Sequence, residues 1–189
     1  MATTDIKIGG FGGQGIILTG YIVGKAASLY DGKHATMTQS FGPEARGSAC
    51  SSQVIVSDEP IRYPYVKKAR VMVIMSQEAF TQFSPQMDPG GMMLIEEDLV
   101  DPTGLPDGIR LYRIPATRIA EELGRKIVLN IVMVGFFAAV TGLISKEAMR
   151  RAVETSVPKG SEELNLSAFE RGFDYGLAQR AGVPERTGP

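Results

Sequence analysis

Polar and apolar residues alternate from Asp5 to Gly10 (DIKIGG) and then run into glycines, the pattern of a strand entering a tight turn. After Gly15 the spacing lengthens. Ile16, Ile17, Val23, Ala27 and Leu29 recur at roughly helical intervals as far as Tyr30, and Asp31-Gly32 predicts the end of that helix. His34–Ser40 (HATMTQS) reads as an extended, Thr-rich stretch, followed by a glycine- and proline-bearing loop, Phe41–Gly47. Ser52–Ser57 and Arg70–Met75 are short apolar runs with β-branched residues, which predicts buried strands. Ser76 is placed to cap a helix running through Phe83. Gly91–Glu96 and Ile109–Ile114 predict two further strands.

From Pro115 the period is helical: Thr117–Leu123, Ile127–Thr141, Ser145–Thr155 and about Asn165–Gln179. The last carries Leu166, Phe169, Phe173 and Leu177 as a predicted apolar seam. Strand–helix alternation followed by helices predicts one α/β domain over residues 1–181. Its expected form is three-layered and Rossmann-like, with a largely parallel or mixed sheet and a helical C-terminal layer. Residues 182–189 read as a poorly ordered tail.

The stretch Ile127–Ile144 contains no charge and reaches the shortest length able to span a bilayer. Asn130, Gly135, Thr141 and Gly142 interrupt it, so it predicts a helix buried within the domain or at a subunit interface. The N-terminus has neither the basic start nor the apolar run of a signal peptide. Hydrophobic residues make up 43% of the 189 and charged residues 22%, enough for a full core. A formal net charge of -1 gives no field to attract nucleic acid or an anionic membrane. Cys50 is the single cysteine, which excludes an internal disulfide and an iron–sulfur cluster held by this chain alone. His34 is the single histidine, leaving too few ligands for a zinc site. A cytoplasmic location is expected.

Gly10-Phe11-Gly12-Gly13-Gln14-Gly15 fits G-x-G-x-x-G after a strand and at the start of a helix. Free N–H groups there can hold an anion, and missing side chains let a phosphate approach the backbone. A dinucleotide reader also needs an acid at the end of the second strand, and His34–Ser40 has none. No Lys-Ser/Thr pair follows the glycines, so the Walker pattern is absent. The loop therefore either holds an anion of another kind or only packs strand against helix. Gly42–Gly47 (GPEARG) supplies Arg46, whose planar fork suits a carboxylate or phosphate; alternatively Glu44 and Arg46 are solvated or pair with each other. Cys50 has no histidine in a recognisable pairing and reads as a small core residue.

Gly9–Ile16, Thr38–Gly47 (TQSFGPEARG), Val54–Ile61 and Tyr63-Pro64 occur here in one order and spacing. Together with Asn130–Leu143 and Leu164–Phe173 they resemble the gamma subunit of 2-oxoacid:ferredoxin oxidoreductases, over about Asp5 to Tyr175. GPEARG with Tyr63-Pro64 is more similar to the 2-oxoglutarate branch than to the pyruvate branch. The resemblance implies a part in oxidative decarboxylation, with thiamine diphosphate, Mg2+ and iron–sulfur clusters on partner subunits and coenzyme A as co-substrate. Alpha and beta subunits, with or without a ferredoxin-like delta subunit, are the implied partners, and ferredoxin the electron acceptor. The family's gamma domain implies a part in forming or covering the coenzyme A site; the helix-start anion geometry and the nearby cationic loop make Gly10, Gly12, Gly13, Gln14, Gly15 and Arg46 the expected contacts, with Thr38, Gln39 and Ser40 as further polar ones. Three alternatives stay open: another 2-oxoacid, a stand-alone nucleotide-binding module, and a purely structural subunit.

Overall fold

The structure, a computed structural model, describes residues 3–40 and 49–182. Six strands form one sheet: β1 (Thr4–Phe11), β2 (His34–Ser40), β3 (Ala49–Ser57), β4 (Ala69–Ile74), β5 (Met87–Glu96) and β6 (Arg110–Ile114). Their order is β2-β3-β1-β4-β5-β6. β1, β4, β5 and β6 are parallel neighbours in turn, whereas β3 runs antiparallel to both β1 and β2. The sheet is therefore mixed, as the strand pattern allows.

The helices are α1 (Ile16–Lys25), α2 (Gln77–Phe83), α3 (Ala116–Glu122), α4 (Leu129–Thr141), α5 (Lys146–Glu154) and α6 (Glu162–Gly182). Alternation along β1 sends Ile6 and Ile8 into one core with α1, α3, α4 and α5. Lys7 and Gly9 point the other way, where Phe83 of α2 lies over both. One face of the sheet thus carries a thick helical layer and the other the short α2, whose Ala79, Phe80 and Phe83 cover Met72 and Ile74. Ser76 caps α2 as expected, its hydroxyl accepting from the Ala79 N–H. Glu96, wholly buried at the end of β5, does the same for α3 by accepting from the Thr117 N–H at 3.0 Å.

α4 is the axis of the thick layer. Every residue from Leu129 to Val140 is buried, so its apolar character is used inside the domain. Among the described residues no helix is long and apolar enough to cross a membrane. The helix starts two residues later than its uncharged stretch suggests. Lys126–Val128 forms a tight turn instead, and Ile127, preceded by Arg125 and Lys126, stands 78% exposed. Gly142 then closes α4 in the left-handed conformation, φ 59. The first helix also departs from expectation, since Ala26–Tyr30 widens into a π turn.

α6 packs along α4 through part of the predicted seam, with Phe169 fully buried and Leu166 and Phe173 packed at its margin, but the inward stripe is centred on smaller residues. Asn165, Ala168, Phe169, Gly172 and Gly176 face inward, while Leu177 is 46% exposed. The reason is backbone proximity. A Cβ at Gly172 would lie 2.0 Å from the Val132 carbonyl oxygen, and one at Gly135 would lie 2.0 Å from that of Phe169. Larger residues at the crossing would hold the helices apart.

The two ends of the sheet are finished differently. On the outer edge of β6 the side-chain amide of Gln179 accepts from the Arg113 N–H at 3.2 Å and donates to the Arg113 carbonyl at 2.7 Å. It occupies the place of a further strand. The outer edge of β2 has no such cover among the described residues.

Two outcomes are expected from this packing. Gly172→Ala destabilises the chain by about 2–3 kcal/mol in a denaturant melt, because neither backbone can yield. Gly24→Ala in α1 stabilises it by up to about 1 kcal/mol, since its Cβ would sit at an ordinary 3.9 Å from Val54. Equal stabilisation by both would show that α4 and α6 separate freely. Cys50 lies in the core at 7% exposure, and burial raises its thiol above the usual range. An alkylating reagent at neutral pH should label it only after unfolding.

Candidate functional site

After β1 the chain turns into the thick layer through α1, and after β4 it turns to the opposite face through α2. The carboxyl ends of these two parallel neighbours therefore flank a topological switch point, the place where open α/β sheets hold ligands. The glycine loop sits there. Its residues divide into two groups.

Gly10, Gln14 and Gly15 are engaged with the protein itself. Gln14 folds back so that its Oε1 accepts from the Phe11 N–H at 2.7 Å and its Nε2 donates to the Met75 carbonyl at 2.9 Å. The side chain thus ties the end of β1 to the residue that follows β4. A Cβ on Gly10 would lie 2.5 Å from Cδ1 of Ile16 and 2.6 Å from Oε1 of Gln14. Gly15 is the N-cap of α1 in the left-handed region, φ 74, and a Cβ there would lie 2.4 Å from Nδ2 of Asn130. Asn130, 4% exposed in the first turn of α4, is the residue on which the loop rests.

Gly12 and Gly13 are the exposed members. Gly13 has φ 96, and a Cβ added to it would meet nothing within 4 Å. No side chain caps the start of α1, and its first turn carries no acid. The first N–H to find an intrahelical acceptor there is that of Thr19, which donates to Gly15. The Gln14 N–H donates to the Phe11 carbonyl at 3.1 Å, but among the described residues the Gly15, Ile16, Ile17 and Leu18 amides find no acceptor, in a positive end-field.

The register places the remaining candidates relative to this loop. Ser40 pairs with Ser51, which pairs with Gly9, so Ser40 is level with the end of β1 but two strands away, about 10 Å. Gln39 is one step lower and Thr38, opposite Gln53 and level with Lys7, lower still. Gln39 and Ser40 are exposed and Thr38 half-buried. Arg46 lies outside the described residues. Its flanking neighbours Ser40 and Ala49, the latter paired with Phe11, both stand at the glycine-loop end of the sheet. Cys50 pairs with Gly10 and faces the core.

Asn130 was visible in the sequence as a polar residue inside an apolar helix, yet its contact with Gly15 spans the fold and has no local signal. A separate cleft of about 420 Å3 lies at the amino end of β1, among Asp5, Ile55, Arg62, Tyr63 and Tyr65. Burial, then the Asp88 carboxylate, raises the Asp5 carboxyl above its usual range there. Tyr63 and Tyr65 meet edge-on at 5.4 Å, both more than half exposed. Among the described residues no group of three His, Cys, Asp or Glu side chains is placed to hold a metal ion.

The chain is 50% identical over 172 residues to the 2-oxoglutarate synthase subunit KorC of Methanocaldococcus jannaschii, covering 90% of this chain and 92% of that one. Its fold matches the keto/oxoacid ferredoxin oxidoreductase gamma subunit of Geobacter sulfurreducens PCA with a TM-score of 0.81 and 41% identity, over 93% and 99% of the two chains. It also matches the 2-oxoglutarate:ferredoxin oxidoreductase of Magnetococcus marinus, solved with 2-oxoglutarate, coenzyme A and succinyl-CoA bound. There the TM-score is 0.84 at 23% identity, covering 98% of this chain but 32% of that one, a likeness of fold alone. Residues 5–175 match the family model described as pyruvate ferredoxin/flavodoxin oxidoreductase. With that match over most of its length, the chain belongs to the pyruvate ferredoxin/flavodoxin oxidoreductase family.

Proposed function

We propose that this chain is the gamma subunit of a 2-oxoglutarate:ferredoxin oxidoreductase and forms part of its coenzyme A site. The complex converts 2-oxoglutarate, coenzyme A and oxidised ferredoxin to succinyl-CoA, carbon dioxide and reduced ferredoxin. Thiamine diphosphate, when bound on partner subunits with Mg2+, supplies the carbanion chemistry of decarboxylation, and iron–sulfur clusters there carry the electrons. Alpha and beta subunits are the partners, with ferredoxin as acceptor, in the cytoplasm. The substrate assignment draws on the 50% identity with the KorC relative over nearly the whole of both chains.

The observation that carries the coenzyme A reading is the uncapped start of α1 beneath the exposed Gly12 and Gly13, at the switch point of the sheet. Coenzyme A presents a pyrophosphate and a further phosphate to whatever binds it. Bare backbone at Gly12 and Gly13 lets a phosphate approach the amides that begin α1. Gly10, Gln14 and Gly15 hold that surface in place through their contacts with Ile16, Met75 and Asn130. Arg46 supplies a full positive charge on a segment anchored at the same end of the sheet, with Gln39 and Ser40 as outlying polar contacts.

Losing one charge-assisted phosphate contact costs about 1.5–3 kcal/mol, roughly a tenfold to hundredfold rise in the KM for coenzyme A. In the assembled enzyme, Arg46→Ala and Gly12→Glu should each raise that KM by at least about tenfold while leaving the KM for 2-oxoglutarate unchanged. Unchanged kinetics for both variants would reduce the glycine loop to a packing device. Turnover by the wild-type complex with pyruvate or a branched-chain 2-oxoacid, and none with 2-oxoglutarate, would overturn the substrate assignment.

A further inference from the structure

The two outer strands of the sheet differ in a way that packing alone does not require. The Arg113 N–H and carbonyl on the edge of β6 are satisfied by Gln179, so β6 cannot accept another strand at that point without losing both bonds. At the other end, among the described residues, β2 pairs with β3 alone. Proteins ordinarily protect such an edge with charges, a proline, a bulge or a covering element. β2, HATMTQS, has no Lys, Arg, Asp, Glu or Pro. Its register with β3 runs from His34 to Ser40 without a bulge.

Two adjoining hollows border this edge. Toward α1 there is a groove of about 250 Å3 lined by Tyr21, Lys25, Leu29, Ala35 and Met37, in which Tyr21 is 51% and Leu29 67% exposed. A second hollow of about 670 Å3 wraps round the amino end of β2; it shares Ser28, Ala35 and Thr36 with the first groove and extends past Lys33 and His34 to Pro60 and Ile61. An added strand presents its side chains alternately to the two faces. The first groove suits apolar side chains; in the second the Lys33 ammonium is already paired with Asp31 at 3.2 Å, so that hollow suits uncharged polar ones.

We infer that β2 is the docking edge for an extended segment of a partner subunit, which adds a seventh strand to this sheet. The row of main-chain donors and acceptors selects an extended backbone, and the hollows select a segment that alternates apolar with uncharged polar residues. The inference rests on the reading of this chain as one subunit of a larger oxidoreductase. The same fold occurs within a chain of which it makes up 32% in the Magnetococcus marinus enzyme. Where the domain is a separate polypeptide, a docking face has to do what a covalent joint does there.

The test is hydrogen–deuterium exchange on the peptide spanning His34–Ser40, in the free full-length chain and in the complex reassembled with its partner subunits. Exchange should slow by about tenfold or more on assembly and be independent of concentration in the free chain. Leu29→Glu, a surface change that leaves the thermal unfolding of the free chain unaltered, should weaken assembly by about tenfold. Assembly that leaves β2 exchange unchanged overturns the proposal while leaving the coenzyme A reading standing. Protection in the free chain that grows with concentration also overturns it, because a second copy then occupies the edge. Failure of the wild-type chain to join any partner removes the subunit reading, and the docking edge with it.

Discussion

Three glycines, Gly135, Gly172 and Gly176, set the distance between α4 and α6, and the thick layer is built around that distance. At the crossing the carbonyl oxygens of Val132 and Phe169 stand where the Cβ atoms of ordinary residues would be. Such an approach replaces side-chain interdigitation by direct backbone contact, with close dispersion packing along both helices. With the crossing tight, α4 is enclosed by the sheet and by α3, α5 and α6, and its first turn is held above the end of β1. Asn130 therefore has a fixed position, and Gly15 rests on it. The geometry of the loop at the switch point follows from a helix crossing in another part of the molecule.

The loop itself combines two requirements that compete in a sequence. Gly10 and Gly15 are glycines because neighbouring side chains occupy their Cβ positions, and Gly15 also adopts a left-handed backbone. Gly13 has room for a side chain and only its φ of 96 argues for glycine. Gln14 consumes both ends of its amide in bracing the loop to the end of β4. The result is a rigid ring of packed residues around a small patch of bare main chain. Preorganisation of that kind lowers the ordering cost of holding a flexible phosphate-bearing molecule.

Much of the fold was legible because it rests on local periodicity. Alternation in DIKIGG, the β-branched runs and the cap at Ser76 each placed an element to within a few residues. The less legible parts depend on distant neighbours. The inward face of α6 looked like Leu166, Phe169, Phe173 and Leu177 because large apolar residues dominate a helical pattern. The actual face keeps Phe169, with Leu166 and Phe173 at its margin, drops Leu177 and adds Gly172 and Gly176, whose value is their lack of side chain and is set by α4. Likewise the G-x-G-x-x-G pattern located the loop but could not divide its glycines into packed and exposed, since Ile16, Asn130 and Met75 decide that. The antiparallel insertion of β3 between β1 and β2 had no signal in strand composition, and it is what moves Thr38, Gln39 and Ser40 away from the loop.

The Gln179 bridge on β6 has a consequence for how such a protein can grow. A sheet with two free edges is a monomer in the polymer sense, able to add neighbours at both ends and to run on into a fibre. With the Arg113 groups occupied by a side-chain amide, a strand arriving at β6 would have to displace two hydrogen bonds before adding its own. A single glutamine on a helix thus works as a chain stopper at one end of the sheet.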